Sequence, residues 1–262
     1  MDFTEDSPNK RLSTAKPGII AALPLEVACF AKVDLAPHSH RIMANAFLYY
    51  AGVGSQNATR AAQSLIDAGA DALVSWGIAG ALDPHLAPGD IVLPTDVIDH
   101  VDKQRYPVNQ RWRAALKNRL DQNRLDPNKL DHEKIYSQGS VVSTRAVQPG
   151  PRQKAKLHKD TGAMAVDMES AAIAAVANEE NKPFIIIRSI SDTTAMQLPS
   201  SAINATDPYG RVSILGLLAG LTKNPAELRH YPNLIRSLAR AKRSLRGIRE
   251  RCGLDLCLGE AL

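Results

Sequence analysis

Apolar residues fall in short runs, each closed by glycine or proline and followed by a stretch with helical spacing. Gly18 to Leu23 is one such run; it ends at Pro24, a residue suited to the first turn of a helix, which predicts a strand feeding a helix. Ala46 to Ala51 is a second. It meets Gly52-Val53-Gly54-Ser55, after which Ala58, Ala61, Ala62, Leu65 and Ile66 recur at helical spacing with Ser55 as the expected cap. Asp71 to Ser75, Asp90 to Ile98 and Ser140 to Ser143 predict further strands, and glycines such as Gly69 and Gly77 are expected to punctuate loops. From Asp167 through Glu180 the residues are strong helix formers. Pro183 then leads into Phe184 to Ile187, an apolar run suited to a strand buried on both faces. Helices alternating with such strands imply a single three-layer α/β/α domain around a mixed, largely parallel sheet, with ligands beyond the carboxyl ends of the strands.

That domain is expected to span residues 17–222, preceded by a polar tail over 1–16 and followed by a basic helical extension over 223–262. The tail carries Asp2, Glu5 and Asp6 near its start, unlike the basic-then-apolar order of a secretory signal, and reads as disordered. Leu234, Leu238, Ala241, Leu245 and Ile248 form an apolar stripe among arginines and lysines, so 232–251 predicts a basic amphipathic helix. It would either dock on the domain or a neighbouring subunit, or touch an anionic membrane surface peripherally.

Charge and cysteine usage narrow the classes. The chain of 262 residues has a formal charge of +5, but His230 to Arg251 holds seven Lys or Arg against one Glu. The rest is near neutral, which argues against nucleic acid as a partner. The longest apolar stretch, about ten residues over 212–221, is far short of the roughly 18 that a membrane span needs. Cys29, Cys252 and Cys257 are odd in number and show no metal-ligand spacing, so a cytoplasmic protein with no metal and no cofactor is expected, its last two cysteines on a solvated tail.

Three acids, Glu26, Glu169 and Asp192, stand just after expected strands or at helix mouths, where a helix-capping role is the ordinary explanation. The surrounding segments add more. Gly-Ile-Ile-Ala-Ala-Leu-Pro-Leu-Glu-Val (18–27), Gly-Ile-Ala-Gly-Ala-Leu (77–82), Pro-Gly-Asp-Ile-Val-Leu-Pro (88–94), Val-Asp-Met-Glu-Ser-Ala-Ala (166–172) and Arg-Ser-Ile-Ser-Asp (188–192) occur in this order. Together they resemble the nucleoside phosphorylase and nucleosidase superfamily, over roughly Gly18 to Leu221. Within it the chain is most similar to the adenosine-cleaving branch, and its long tail resembles the hopanoid-associated proteins that remove adenine from adenosylhopane.

The resemblance implies that an N-glycosidic bond is broken in a purine nucleoside, one whose 5' substituent could be lipid-linked. It assigns Asp192 as the acid that protonates the departing purine at N7, with burial raising its pKa; capping of the Thr193-Thr194 turn is the alternative. Glu169 would grip the ribose hydroxyls and stabilise positive charge on the sugar. Glu26 would orient an attacking water on the opposite face. Ile78, Ala79, Met168 and Ser191 would line the substrate, with the purine against Val147 and Gln148. Ile78 stands where relatives commonly have serine, Val147 where an aromatic residue is common, and Asp167 where glutamate is frequent, leaving Asp167 either a ribose or water contact or a helix cap. Gly54, Gly77 and Arg188 could instead bind a phosphate anion, though Arg188 could equally be the partner of a buried acid. The superfamily's habit of completing sites across an interface implies a homodimer or higher homo-oligomer.

Overall fold

The structure, a computed structural model, describes residues 15–122 and 133–261. The expected N-terminal tail therefore lies outside the described residues except at its end. There Lys16 is tied to Asp71 by a backbone N–H to the carboxylate (2.8 Å) and a returned backbone bond (3.0 Å).

The chain opens with strand β1 (Pro17–Ala21) and helix α1 (Pro24–Phe30), then a β2–β3 hairpin (Ser39–Ile42, Phe47–Tyr50) and α2 (Ser55–Asp67). A long β4 (Ala72–Ala81) is followed by short β5 (Ile91–Val92), β6 (Asp96–Asp99) and β7 (Arg105–Pro107), then α3 (Gln110–Gln122). Next come β8 (Ile135–Tyr136), β9 (Ser140–Ser143), α4 (Pro151–Thr161), β10 (Ala165–Asp167), α5 (Ser170–Glu179) and β11 (Phe184–Asp192). The helices α6 (Ser200–Asn204), α7 (Ile214–Lys223) and α8 (Tyr231–Cys252) complete the chain.

Among the described residues, eleven strands join one mixed sheet. Its main path runs β2-β3-β1-β4-β10-β9-β6-β7, while β11 pairs with β4 and β5. The long strand β4 is the pivot: it runs parallel to both β1 and β11 and antiparallel to β10 at its far end. Because alternate residues of a strand face opposite sides, β1 sends Ile20 to one core and Ile19 and Ala21 to the other. On the first side α2 and α5 cover the sheet; on the second lie α1, α3 and α8, which gives the three layers.

Three expectations change. The segment from Gly77 to Gly80 is strand, not loop: β4 continues through both glycines beside β11, because side chains of other elements fill the space their missing Cβ atoms leave. The expected strand over 90–98 breaks into β5 and β6 around Leu93-Pro94, proline being poorly suited to a strand interior. Asp167 ends β10 rather than beginning the helix; its side chain accepts the Ser170 N–H (3.2 Å), so α5 starts three residues later.

The C-terminal region departs furthest. Leu245 and Ile248 of α8 are buried in the second core with Trp76, Ile187 and Val27 and Ala241 is buried as well, while Leu234 and Leu238 are half-buried, so the domain itself occupies the C-terminal half of the apolar stripe. Cys252 and Cys257 are buried there too instead of lying on a solvated tail, and the Trp112 indole N–H donates to the Leu256 carbonyl (2.7 Å). The exposed apolar element is α7, whose Ile214, Leu215 and Leu218 are 73%, 80% and 54% exposed. Among the described residues no helix is long and apolar enough to cross a membrane.

Candidate active site

Parallel β4 and β11 end side by side with Arg188 opposite Gly77 and Asp192 opposite Gly80. Gly80 lies three residue steps along the strand from Gly77, about 10 Å at the usual rise. Around each gathers one part of the candidate site.

At Gly77 the first acid arrives from α1. Pro24 starts that helix, and Glu26 in its first turn folds back so that one carboxylate oxygen accepts the Ala22 and Leu23 N–H groups (2.9 and 3.0 Å). The other accepts the Ile78 N–H of β4 (2.8 Å). The Trp76 indole donates to the Glu26 carbonyl (3.1 Å), pinning α1 to the sheet. A Cβ on Gly77 would stand 2.2 Å from the Glu26 carboxylate and 2.6 Å from Arg188 Nη1, so only glycine lets these groups meet. Burial raises the pKa of Glu26 above the ordinary carboxylate value, although Arg188 and the three amides oppose the rise.

Glu169 sits between β10 and α5 and accepts the Gly54 N–H at the start of α2 (2.7 Å). Burial, then repulsion by Asp167, pushes its pKa up to about 7. Asp167 is committed to the protein. One oxygen accepts from Ser143 Oγ (2.5 Å) and the Ser170 N–H, the other from Ser170 Oγ and Arg188 Nε (2.9 Å). Both of its oxygens are thus engaged by the start of α5, Ser143 and Arg188. Arg188 is 2% exposed and spends Nη2 on Ser75 and Ser170 (2.7 and 3.1 Å). Desolvation works against its charge, but Asp167, Glu26 and Glu169 outweigh it and hold its pKa above the ordinary value.

At Gly80, Asp192 ends β11 and lies 5% exposed. Ser191 Oγ reaches one Asp192 oxygen (2.6 Å) and the Ala79 carbonyl (3.2 Å). The other oxygen pairs with Lys154 Nζ, which also donates to the Thr193 carbonyl (2.6 Å). Lys154 is wholly buried. Sequence reasoning missed it, although a lysine three residues before Leu157 interrupts what would otherwise be the apolar face of α4.

Of the remaining candidates, Ile78 donates its amide to Glu26. Met168 is half-buried, Gln148 folds onto the Ala146 carbonyl (3.0 Å), and Val147 is 38% exposed on the segment expected to meet a base. The three anion-binding candidates meet the chain's own anions: Gly54 meets Glu169, Gly77 makes room for Glu26, and Arg188 pairs with Asp167. Among the described residues no cluster of His, Cys, Asp and Glu is fit to hold a metal ion.

This combination of a strand-end acid cluster and a buried ammonium–carboxylate pair can hold a cationic species at one end and manage a proton at the other. Known proteins share the framework. The chain is 27% identical to 5'-methylthioadenosine/S-adenosylhomocysteine nucleosidase of Mycobacterium bovis over 216 residues, 67% of this chain and 84% of the relative. Futalosine hydrolase of Helicobacter pylori superposes with a TM-score of 0.65 at 15% identity, covering 91% of this chain and 97% of that one. The Neisseria meningitidis 5'-methylthioadenosine/S-adenosylhomocysteine nucleosidase, in complex with methylthio-immucillin-A, superposes with a TM-score of 0.64 at 20% identity, covering 89% and 96%. These structural likenesses are likenesses of fold. The family model for the phosphorylase superfamily matches residues 18–208, most of the chain and all three acids, and the protein belongs to that superfamily.

Proposed function

We propose that this protein is a nucleosidase that hydrolyses the N-glycosidic bond of a 5'-substituted adenosine and releases adenine. The observation that carries the reading is the surplus of buried carboxylate at Gly77, with Asp192 about 10 Å further along the strand ends. That span suits a nucleoside with its sugar at the first point and its base at the second. As the C1'–N9 bond breaks, positive charge grows on the ribose, and ionised Glu169 stabilises it more than the neutral ground state. Glu26 takes a proton from the attacking water while the new C1'–O bond forms. The electron pair of the broken bond goes to the purine, which is protonated from the Asp192 side.

Water is favoured over phosphate because Gly54, Gly77 and Arg188 are already engaged with Glu169, Glu26 and Asp167. A second polyanion there would face unbalanced negative charge. The deciding experiment incubates the protein with 5'-substituted adenosines, with and without phosphate, and identifies the sugar product. Free sugar and adenine in both conditions are expected; a phosphate-dependent ribose 1-phosphate would overturn the hydrolytic reading.

The finer reading is that the 5' substituent is a hopanoid lipid and the product ribosylhopane, made by a cytoplasmic homo-oligomer working at the membrane surface. Its support is the resemblance of the long C-terminal region and the exposed face of α7. The 207–211 turn before α7 adjoins the sugar end of the site: Val53 N–H donates to the Pro208 carbonyl (2.8 Å), and Gly210 packs on Leu23. Because Ala241, Leu245 and Ile248 of α8 are buried, membrane contact would run through α7, with the basic residues of 232–251 following it in the chain. Flotation with anionic liposomes should weaken in Leu215→Ser; equal flotation of both proteins would end the membrane part. Preference for methylthioadenosine or S-adenosylhomocysteine over adenosylhopane in a product assay would overturn the lipid substrate while leaving the hydrolysis intact.

A further inference from the structure

We propose that Lys154 is a positioning residue for the departure of the base: paired with Asp192, it holds the proton that the purine takes and passes it through that carboxylate. The inference rests on the nucleosidase reading and goes beyond it by naming the source of the proton.

The geometry starts from what a carboxyl group at Asp192 can do. One of its oxygens already receives the Ser191 hydroxyl and the other the Lys154 ammonium. A carboxylate placed between two donors is an acceptor, so in the resting pair the proton resides on Lys154. The pair as a whole holds one proton that can move. Of the acids facing the substrate, Asp192 is the one joined to a lysine; Glu26 and Glu169 face Arg188, whose guanidinium does not give up a proton at ordinary pH.

Placement argues against a purely structural lysine. Lys154 is buried on a helix whose neighbouring lysines, Lys156 and Lys159, are exposed, and it makes its contacts with Asp192 and the Thr193 carbonyl, both at the end of β11. A buried ion pair is weak support for stability, since apolar side chains of similar volume often serve as well. An apolar residue beside Leu157 would have filled this space.

The transfer balances. When the C1'–N9 bond breaks, its electron pair passes to the purine; the one mobile proton moves from Lys154 onto the Asp192 carboxylate and from there to N7, leaving Asp192 ionised and Lys154 neutral. Neutral Lys154 is then recharged by the proton that Glu26 removed from water and released to solvent. Nothing is oxidised or reduced.

The test compares two ribosides in wild type, Lys154→Met and Lys154→Gln. One is a 5'-substituted adenosine, whose base must be protonated to leave; the other is a 4-nitrophenyl riboside, whose leaving group departs as an anion. Methionine matches the lysine stem in an apolar site, and glutamine keeps an N–H for Asp192, so failure of one variant to fold leaves the other. Expected is a fall in kcat on the adenosine of about 10²-fold or more. KM should stay within a few-fold, and the loss on the nitrophenyl riboside should be at least tenfold smaller. Added to Asp192→Asn, either substitution should cost almost nothing further, as for two parts of one device. Equal losses on both substrates, or adenosine rates within threefold of wild type, would overturn the role of Lys154 alone. A wild-type protein that released no adenine would overturn the nucleosidase reading and this inference with it.

Discussion

The two ends of the site are built from the same residue types in opposite proportions. Near Gly77, three carboxylates, Glu26, Asp167 and Glu169, surround one guanidinium, Arg188, and burial, followed by the charge of Asp167, pushes the Glu169 pKa up to about 7. Near Gly80 a single carboxylate meets a single ammonium, and the charges cancel. The contrast teaches that burial alone does not set the chemistry of a carboxyl group here, since Glu26, Glu169 and Asp192 are all nearly inaccessible. What differs is the count of partners. A surplus suits the end where a sugar cation would form; a balanced pair suits the end where a proton would move.

The most severe way to break this contrast is to remove charge from the surplus end. Glu169→Gln keeps the shape and should lower adenine release about 10³-fold, the loss typical when one preorganised charge at a developing ion is deleted. Single-turnover kinetics on a protein with unchanged circular dichroism would check it, and a rate within tenfold of wild type would remove Glu169 from the chemistry. The next largest effect falls on stability. Arg188→Met leaves Asp167, Glu26 and Glu169 buried without their shared counter-charge, and breaking such a pair from one side costs about 3–5 kcal/mol. Urea denaturation should show that loss at pH 8, with a smaller one at pH 5, where the orphaned carboxyl groups can take up protons.

How far each end could be read from the chain follows from the kind of signal. The strand-end acids stood in ordered motifs, and the alternating apolar runs gave the sheet and its two covering layers. Gly77 and Gly80 misled, because a glycine that makes room for Glu26 or Asp192 looks the same in a sequence as one that makes a turn. Asp167 and Arg188 were ambiguous for a similar reason: whether a charged side chain faces solvent or another buried charge depends on which strands become neighbours, a long-range fact. Lys154 lies 38 residues from Asp192, and only the pairing of helix α4 with the end of β11 brings them together. The C-terminal helices show the same limit. An apolar stripe on α8 and an apolar face on α7 carry equivalent sequence signals, yet Leu245 is buried and Leu215 is 80% exposed.

A pH titration of stability sharpens the contrast at a smaller scale. In the folded protein Glu169 keeps its proton up to about pH 7, whereas its ordinary value is 4.5. Between those limits the folded state binds a proton that the unfolded chain has released, so stability falls as pH rises. The contribution is complete below pH 4.5 and is lost once pH passes about 7, an interval worth on the order of 3 kcal/mol. Glu169→Gln has no proton to lose and should flatten the slope across this window, leaving the variant relatively more stable than wild type at pH 8. Parallel curves for the two proteins would mean that Glu169 is ionised throughout. The same titration predicts that kcat/KM rises towards neutral pH as Glu169 acquires its charge.

The smallest test uses two serines, one at each end. Ser191 Oγ contacts Asp192 (2.6 Å) and Ser143 Oγ contacts Asp167 (2.5 Å), so each alanine substitution deletes one hydroxyl donor to a buried carboxylate. A hydrogen bond to a charged group contributes roughly 1.5–3 kcal/mol. If the balanced pair at Gly80 manages a proton, Ser191→Ala should appear in turnover: Asp192, left with Lys154 as its remaining side-chain donor, would be held less firmly beside the base and slow its departure about tenfold, a shift of about 1.4 kcal/mol. If Asp167 is a scaffold that caps α5 and holds Arg188, Ser143→Ala should appear mainly in the unfolding free energy, lowered by about 1.5 kcal/mol. Measuring both quantities on both variants separates the two roles, because an exchanged pattern would mean that the working carboxylate is Asp167 and the structural one Asp192.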